Sequence, residues 1–322
     1  MIVRDDVEVA ADRVGRLVRR TPVTNVTWDG SDGSRQVWLK LEHLQHTGSF
    51  KARGALNRVL AAAEQGQIGP AGIAVASGGN AGLAFAYSAR QAGTTARIFL
   101  PVTAPAFKVN KLKALGADVV QVGERYQDAY QSMLVDADET GALVCHAYDQ
   151  PEVCAGGGTV GLELVEQVVG PLDVVLVAVG GGGLMAGIAA ALEGTVRVVA
   201  VEPETCPTLH AAVAAGQPVD VTVGGVAADS LGANRIGSIA WEVAVRAQVA
   251  SVTVSDDDIV RSRRRLWDDY RLVVEHGAAT AMAALWSGRY VPDDGARVAV
   301  VLCGANTSPG DLDVEGDPER TI

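Results

Sequence analysis

Short apolar runs rich in Val, Ile and Ala recur along this chain, and each is followed by a stretch with helical periodicity. That alternation is the signature of βαβ units, which build parallel sheet. The runs expected to form strands are "GIAVAS" (72–77), "ARIFLP" (96–101), "DVVQVG" (118–123), "ALVCHAY" (142–148), "DVVLVAVG" (173–180), "VRVVAVEP" (196–203) and "ARVAVVLCG" (296–304). Most are apolar at successive positions, as expected when helices cover both faces of a sheet. Four of them cluster between 72 and 148, and the longer remainder holds the glycine-rich segments. The expected architecture is α/β: two open, mostly parallel α/β domains facing a shared cleft. The small domain would be 72–148, and the large one 1–71 together with 149–322.

At 322 residues the chain is long enough for two domains. Its formal net charge of -11 would repel a phosphate backbone. The cluster Arg261, Arg263, Arg264 and Arg265 lies among Asp256, Asp257, Asp258, Asp268 and Asp269 and reads as a salt-bridged, solvated face. Nucleic acid is not an expected partner. The amino end carries acids where a secretory signal has only bases, and no apolar core follows. Val174 to Leu192 has the length and lack of charge of a membrane span, but Gly180 to Gly183 inside it would break a helix in lipid. No membrane is expected either. The four cysteines, Cys145, Cys154, Cys206 and Cys303, include no C-x-x-C pair, and the five histidines have no zinc spacing. A cytoplasmic protein without a catalytic transition metal fits best. The closing "TSPGDLDVEGDPERTI" is acidic and punctuated by Pro and Gly, so a partly disordered tail is expected.

Four segments carry chemistry. In "VAVGGGGLMAGIAAALEG" (177–194) a strand runs through four glycines into a helix, which lets consecutive backbone N–H groups and the helix dipole converge on a phosphate. The segment lacks the Lys-Ser/Thr ending of a nucleotide loop and is not G-x-G-x-x-G, so neither ATP nor a dinucleotide is favoured. In "ASGGNAG" (76–82), Ser77, Gly78, Gly79 and Asn80 leave donors open at a helix start. That pattern suits a small carboxylate, or a plain N-cap by Asn80. In "VAVVLCGANTS" (298–308) a strand ends on Cys303, either a buried structural thiol or a ligand-facing one. In "HTGSFKARGA" (46–55), Lys51 stands among small and apolar residues in the first turn of a helix. It is either a solvated surface lysine or one whose ammonium is disfavoured by burial and by the positive helix end, and so able to attack a carbonyl.

One cofactor accounts for all four segments: an aldehyde with a phosphate arm and a pyridine ring, pyridoxal 5'-phosphate. "KLEHLQHTGSFKARGA", "ASGGNAG", "VGGGGLMAGIA", "VEPE" and "VLCGAN" occur in the order and at about the spacing of the serine/threonine dehydratases. The chain from about 15 to 306 resembles that family of fold type II, tryptophan synthase β-like, pyridoxal-phosphate enzymes. The resemblance implies a cofactor in the cleft between the domains. Lys51 would hold it as an internal Schiff base and then act as the base at Cα. Gly180, Gly181, Gly182 and Gly183 would bind its phosphate, which the resemblance makes the acid for the departing hydroxide. Asn80 would bond the ring hydroxyl, Cys303 would face the ring nitrogen, and Ser77, Gly78, Gly79, Asn80 and Ala81 would hold the substrate carboxylate. A thiol at Cys303 would leave the nitrogen largely unprotonated, which suits prompt β-elimination better than transamination.

Two departures from the family matter. Ala81 follows Asn80 where many members have His, as in serine dehydratases of mammalian type, and Gly78 stands where serine racemases carry a second base. In "VEPETCPT" the resemblance implies a structural monovalent or divalent cation at Glu202, the Cys206 carbonyl and Thr208; an exposed strand-end glutamate is the alternative. The isoleucine-responsive threonine dehydratases carry an extension with no counterpart after Asn306, so feedback inhibition by that route is not expected. A homodimer is expected from the family alone. The expected function is β-elimination from L-serine or L-threonine, giving pyruvate or 2-oxobutanoate and ammonia. The alternatives are 3-hydroxyaspartate elimination, racemisation, β-replacement, or a non-catalytic carrier or sensor of the cofactor.

Overall fold

Uninterrupted apolar runs must bury both faces, and here they do so in two separate sheets. The computed structural model describes residues 1–30 and 33–312, so the expectation for the closing tail falls, from 313 onward, outside the described residues. The strands are β1 (Val23–Gly30), β2 (Gly33–Lys40), β3 (Ile73–Ala76), β4 (Ala96–Leu100), β5 (Asp118–Gln121), β6 (Leu143–Val144), β7 (Val174–Ala178), β8 (Arg197–Pro203), β9 (Ala250–Val254) and β10 (Val298–Val301). The helices are α1 (Arg4–Val14), α2 (Lys51–Glu64), α3 (Asn80–Gln91), α4 (Ala106–Ala114), α5 (Tyr126–Thr140), α6 (Pro151–Gln167), α7 (Gly183–Leu192), α8 (Thr208–Ala215), α9 (Ala228–Leu231), α10 (Ser238–Arg246), α11 (Asp256–Tyr270) and α12 (His276–Trp286).

One sheet has the order β1-β2-β10-β7-β8-β9 and the other β5-β4-β3-β6; every pairing is parallel except β1 with β2. All seven expected strands are present, with 142–148 reduced to Leu143–Val144. Two features were not anticipated. The β1–β2 hairpin draws on "VTNV" and "RQVW", whose mixed polarity suits an edge with one wetted face, and β9 ("ASVTV") is likewise an edge strand. The apparent membrane run resolves into β7, the glycine loop and α7. No helix among the described residues is long and apolar enough to cross a membrane.

Apolar burial ties the two sheets together through helices. Strands β7 and β10 and helix α7 lie in the largest core. Ala55 and Val59 of α2 and Val153 of α6 share a second core with β3, α3 and β4. The loops after β3, β7 and β10 and the segment between β2 and α2 converge at the carboxyl ends of the strands, where open α/β sheets place ligands. A wider surface groove beside Asp173, Arg197 and Asp293 lies at the opposite ends of the strands and holds none of the expected residues.

Candidate active site

Lys51 begins α2, and the segment leading to it is strapped to the end of β10. Ser49 bridges to Gly304, and Phe50 N donates to Cys303 O at 3.0 Å. Thr47 takes the left-handed φ of 61°, uncommon for a β-branched residue, and its carbonyl accepts from Asn306 Nδ2 at 2.7 Å. Lys51 borders the cavity with part of its surface but is otherwise surrounded by protein. Its Nζ donates to Ala147 O at 2.8 Å. Burial pulls its pKa down to about 8, against the opposing pull of the Glu275 carboxylate. An amine in this range is partly neutral near physiological pH, as a nucleophile or base must be. The reading of Lys51 as a solvated surface lysine does not survive this placement.

Below Lys51 lies a buried ionic bolt. Arg53, fully buried on α2, donates to Glu42, to Glu163 at 2.8 and 2.9 Å, to Thr159 Oγ1 at 3.1 Å and to Arg19 O at 3.2 Å. Buried Lys40 reaches the same Glu163 at 2.7 Å. Two cations and two carboxylates balance, so α2 is fixed to β2 and α6 without a stranded charge.

The four glycines between β7 and α7 leave no room for side chains. A Cβ on Gly180 would sit 2.7 Å from Leu231 O, on Gly182 2.5 Å from Ala240 Cβ, and on Gly183 2.8 Å from Tyr148 O; on Gly181 it would overlap the Tyr148 ring. Gly182 also has φ of 85°, in the left-handed region. These glycines line one cavity with Lys51, Tyr148, Ser230, Glu275 and Cys303. Cys303 is 3% exposed, and burial pushes its thiol well above the ordinary range, so it is neutral.

A second chamber adjoins the first at Asn80 and Glu275, which line both. Gly78, Gly79, Leu83, Phe107 and Lys108 complete much of its wall. Ser77 spends its hydroxyl as an acceptor for Gly79 N at 3.3 Å, and Ala81 is buried in the first turn of α3, so neither lines the chamber. Asn80 Nδ2 donates to both oxygens of Glu275, at 2.9 and 3.1 Å. The sequence reading had not singled out Glu275 or Tyr148. Glu275 precedes α12 and looks like an ordinary acidic helix start, and Tyr148 lies in a loop without a motif, so neither carries a local signal.

Glu202 is fully buried at the end of β8, not exposed. It accepts from Leu209 N at 2.7 Å, His210 N at 2.8 Å and Thr208 Oγ1 at 3.1 Å. Thr208 Oγ1 lies closer still to Gly180 O, at 2.6 Å, so its single hydrogen is shared between that carbonyl and Glu202, and Cys206 is buried beside them. Burial raises the Glu202 carboxyl to about 7 while these donors oppose the shift. The three residues predicted to hold a cation therefore lie together, with Glu202 capping α8. Among the described residues no group of three or more His, Cys, Asp or Glu side chains could hold a metal ion.

A buried lysine, a side-chain-free loop at the start of a helix and a neutral thiol in one cavity could hold a phosphorylated carbonyl cofactor. Residues 14–304 match the family described as pyridoxal-phosphate dependent enzyme, and the chain belongs to that family. It is 31% identical over 316 residues to an L-threonine ammonia-lyase of Thermotoga maritima, covering 97% of this chain and 78% of that one. It is 36% identical over 298 residues to a phenylserine dehydratase of Ralstonia pickettii, covering 92% and 90%. Among solved structures it is similar to a threonine deaminase from T.th., with a TM-score of 0.85, 32% identity and 95% and 99% coverage. It is also similar to a pyridoxal 5'-phosphate-dependent aspartate racemase, with a TM-score of 0.86, 29% identity and 97% and 98% coverage. The residues present fit pyridoxal phosphate: the cradle that any Cβ would fill and the buried amine stand in one cavity.

Proposed function

We propose that this protein is a dehydratase of β-hydroxy amino acids, releasing ammonia and a 2-keto acid from L-threonine or L-serine. The observation that carries the reading is Lys51, a buried amine with its pKa drawn to about 8, in a cavity whose other lining side chains, among the described residues, include no second cation. Pyridoxal phosphate, when bound, supplies an aldehyde for the substrate amine and a conjugated ring that delocalises charge developing at Cα. Lys51 would be the residue that holds the cofactor, and its Nζ is the group placed to take a proton from the substrate Cα. Gly180 to Gly183 would hold the phosphate through backbone N–H groups at the start of α7. Asn80 would bond the ring hydroxyl through its amide, and the neutral Cys303 thiol would face the ring nitrogen in place of a carboxylate. Gly78 would offer its backbone N–H to the substrate carboxylate, while Gly79 N is held by the Ser77 hydroxyl. Since Gly78 has no side chain, the loop supplies no second base for racemisation.

The test is steady-state assay of L-serine, L-threonine and 3-hydroxyaspartate for keto acid and ammonia; no keto acid from any of them would reject the reading. A second reading, a bulkier β-substituent, is favoured by the apolar Leu83 and Phe107 in the outer chamber. The ratio of kcat/KM for 3-phenylserine to that for threonine decides between them.

The two domains are 72–148, and 1–71 with 149–322. The active form is a homodimer, which sedimentation velocity tests. All four cysteines are free and buried, which supports a reducing, cytoplasmic setting. A structural cation at Glu202, the Cys206 carbonyl and Thr208 would compete with the N–H donors of α8, so thermal stability should rise in potassium, magnesium or calcium if it binds.

A further inference from the structure

We propose that Glu275 is a positioning residue for this reaction: through Asn80 it dictates which edge of the amide faces the bound ring, and its charge holds the proton on the Lys51 nitrogen. The inference rests on the roles given above to Lys51 and Asn80.

The hydrogen-bond chain allows one orientation. Asn306 Nδ2 donates to Thr47 O at 2.7 Å and to Asn80 Oδ1 at 2.7 Å, so both of its hydrogens point at oxygens that can only accept. Asn80 must therefore present Oδ1 to Asn306 and Nδ2 to Glu275. One amide hydrogen satisfies the carboxylate, and the other is left for a ring oxygen. A protonated carboxyl at 275 would accept at one oxygen only and set its O–H against the amide at the other, so the ionised form, which accepts at both, fits this arrangement better, although burial pushes its pKa up.

Glu275 is also locked in place. It is 8% exposed, its backbone N donates to Gly304 O at 3.0 Å, and a Cβ on Gly304 would overlap its carboxylate. The charged and titratable groups facing it are Lys51 from α2, Asp229 from α9 and Cys303 at the end of β10. Asp229 is paired with Lys108, and Cys303 is neutral, which leaves Glu275 as the only carboxylate lining the Lys51 cavity among the described residues. A negative charge beside a buried amine stabilises its protonated form. Loss of that charge must therefore lower the pH at which Lys51 loses its proton.

The experiment measures Lys51 directly, in cofactor-free protein, by the pH dependence of its acetylation with acetic anhydride, read by peptide mass spectrometry. Glu275→Gln should raise the labelling rate of Lys51 at pH 7 at least threefold, and Glu275→Asp should keep it near the wild-type value. Pyridoxal phosphate titration supplies the second readout. Glu275→Gln should weaken cofactor binding at least fivefold, Glu275→Asp should weaken it as well because its shorter arm releases Asn80, and adding Glu275→Gln to Asn80→Ala should cause no further loss. Unchanged Lys51 labelling in Glu275→Gln, or full additivity with Asn80→Ala, would overturn the proposal. Neither readout needs turnover, so failure here is separate from failure to release keto acid.

Discussion

Lys51 pulls the fold and the chemistry in opposite directions. Its pKa falls from 10.5 to about 8 because burial penalises the ammonium. Between those values the unfolded chain binds more protons than the folded one, so stability rises with pH there. The penalty is complete below about pH 8 and vanishes as the pH approaches 10.5. Lys51→Met should therefore stabilise the cofactor-free protein at pH 7, by up to about 3 kcal/mol, and the advantage should fade above about pH 10. Urea unfolding of both proteins at several pH values measures this, and equal stability at pH 7 would contradict it. The same site gives a catalytic prediction. Lys51→Ala should abolish turnover while the glycine cradle retains measurable cofactor binding, and borohydride should fix the cofactor of the parent protein to the peptide containing Lys51. Cys303 offers a contrast, since Cys303→Ser keeps a neutral group and should stay active. Cys303→Asp buries an unpaired carboxylate and should cost about 3 kcal/mol or more in thermal unfolding.

Among the elements, the loop between β7 and α7 tolerates least. Gly182→Ala would force a Cβ onto a left-handed backbone and within 2.5 Å of Ala240 Cβ, so we expect a loss of about 2–4 kcal/mol and weakened cofactor binding. Denaturant titration with and without pyridoxal phosphate reads both. Helix α2 depends instead on the bolt beneath it. Arg53→Ala would strand the fully buried Glu42 without a paired cation and leave Glu163 with Lys40 alone, at an expected cost of about 3–5 kcal/mol. A loss below about 1 kcal/mol would mean that water reaches those carboxylates.

At the scale of the whole molecule, three polar ties cross the front of the cleft: Asn80 with Glu275, Asn80 with Asn306, and Lys108 with Asp229 at 2.5 Å. The last joins α4, beside the small sheet, to α9 beside the large one, and Asp229 is 70% exposed. An exposed pair of this kind contributes about 1 kcal/mol at most and weakens with salt. Lys108→Ala should thus leave the unfolding midpoint nearly unchanged but raise KM several-fold at low salt, with the difference shrinking at about 0.5 M salt. A KM that ignores both salt and the substitution would show that this tie does not guard the cleft.

Local pattern determined much of this protein. Continuous apolar runs must be buried on both faces, so the seven parallel strands were legible as sequence, and the lysine, glycine and cysteine segments had chemistry that pointed to one cofactor. The edge hairpin β1–β2 was not legible, because an edge strand with one wet face has no continuous apolar run to mark it. Glu202 read as a cation ligand with an exposed strand end as the alternative, and only the packing of α8 on β8 showed it buried and capped. Tertiary structure alone put Glu275 against Asn80, residues 195 apart, and set the Tyr148 ring over Gly181. Such contacts arise where separate elements meet at the ends of their strands. The sequence of each element specifies its own periodicity and says nothing of which side chain will face it across a cleft.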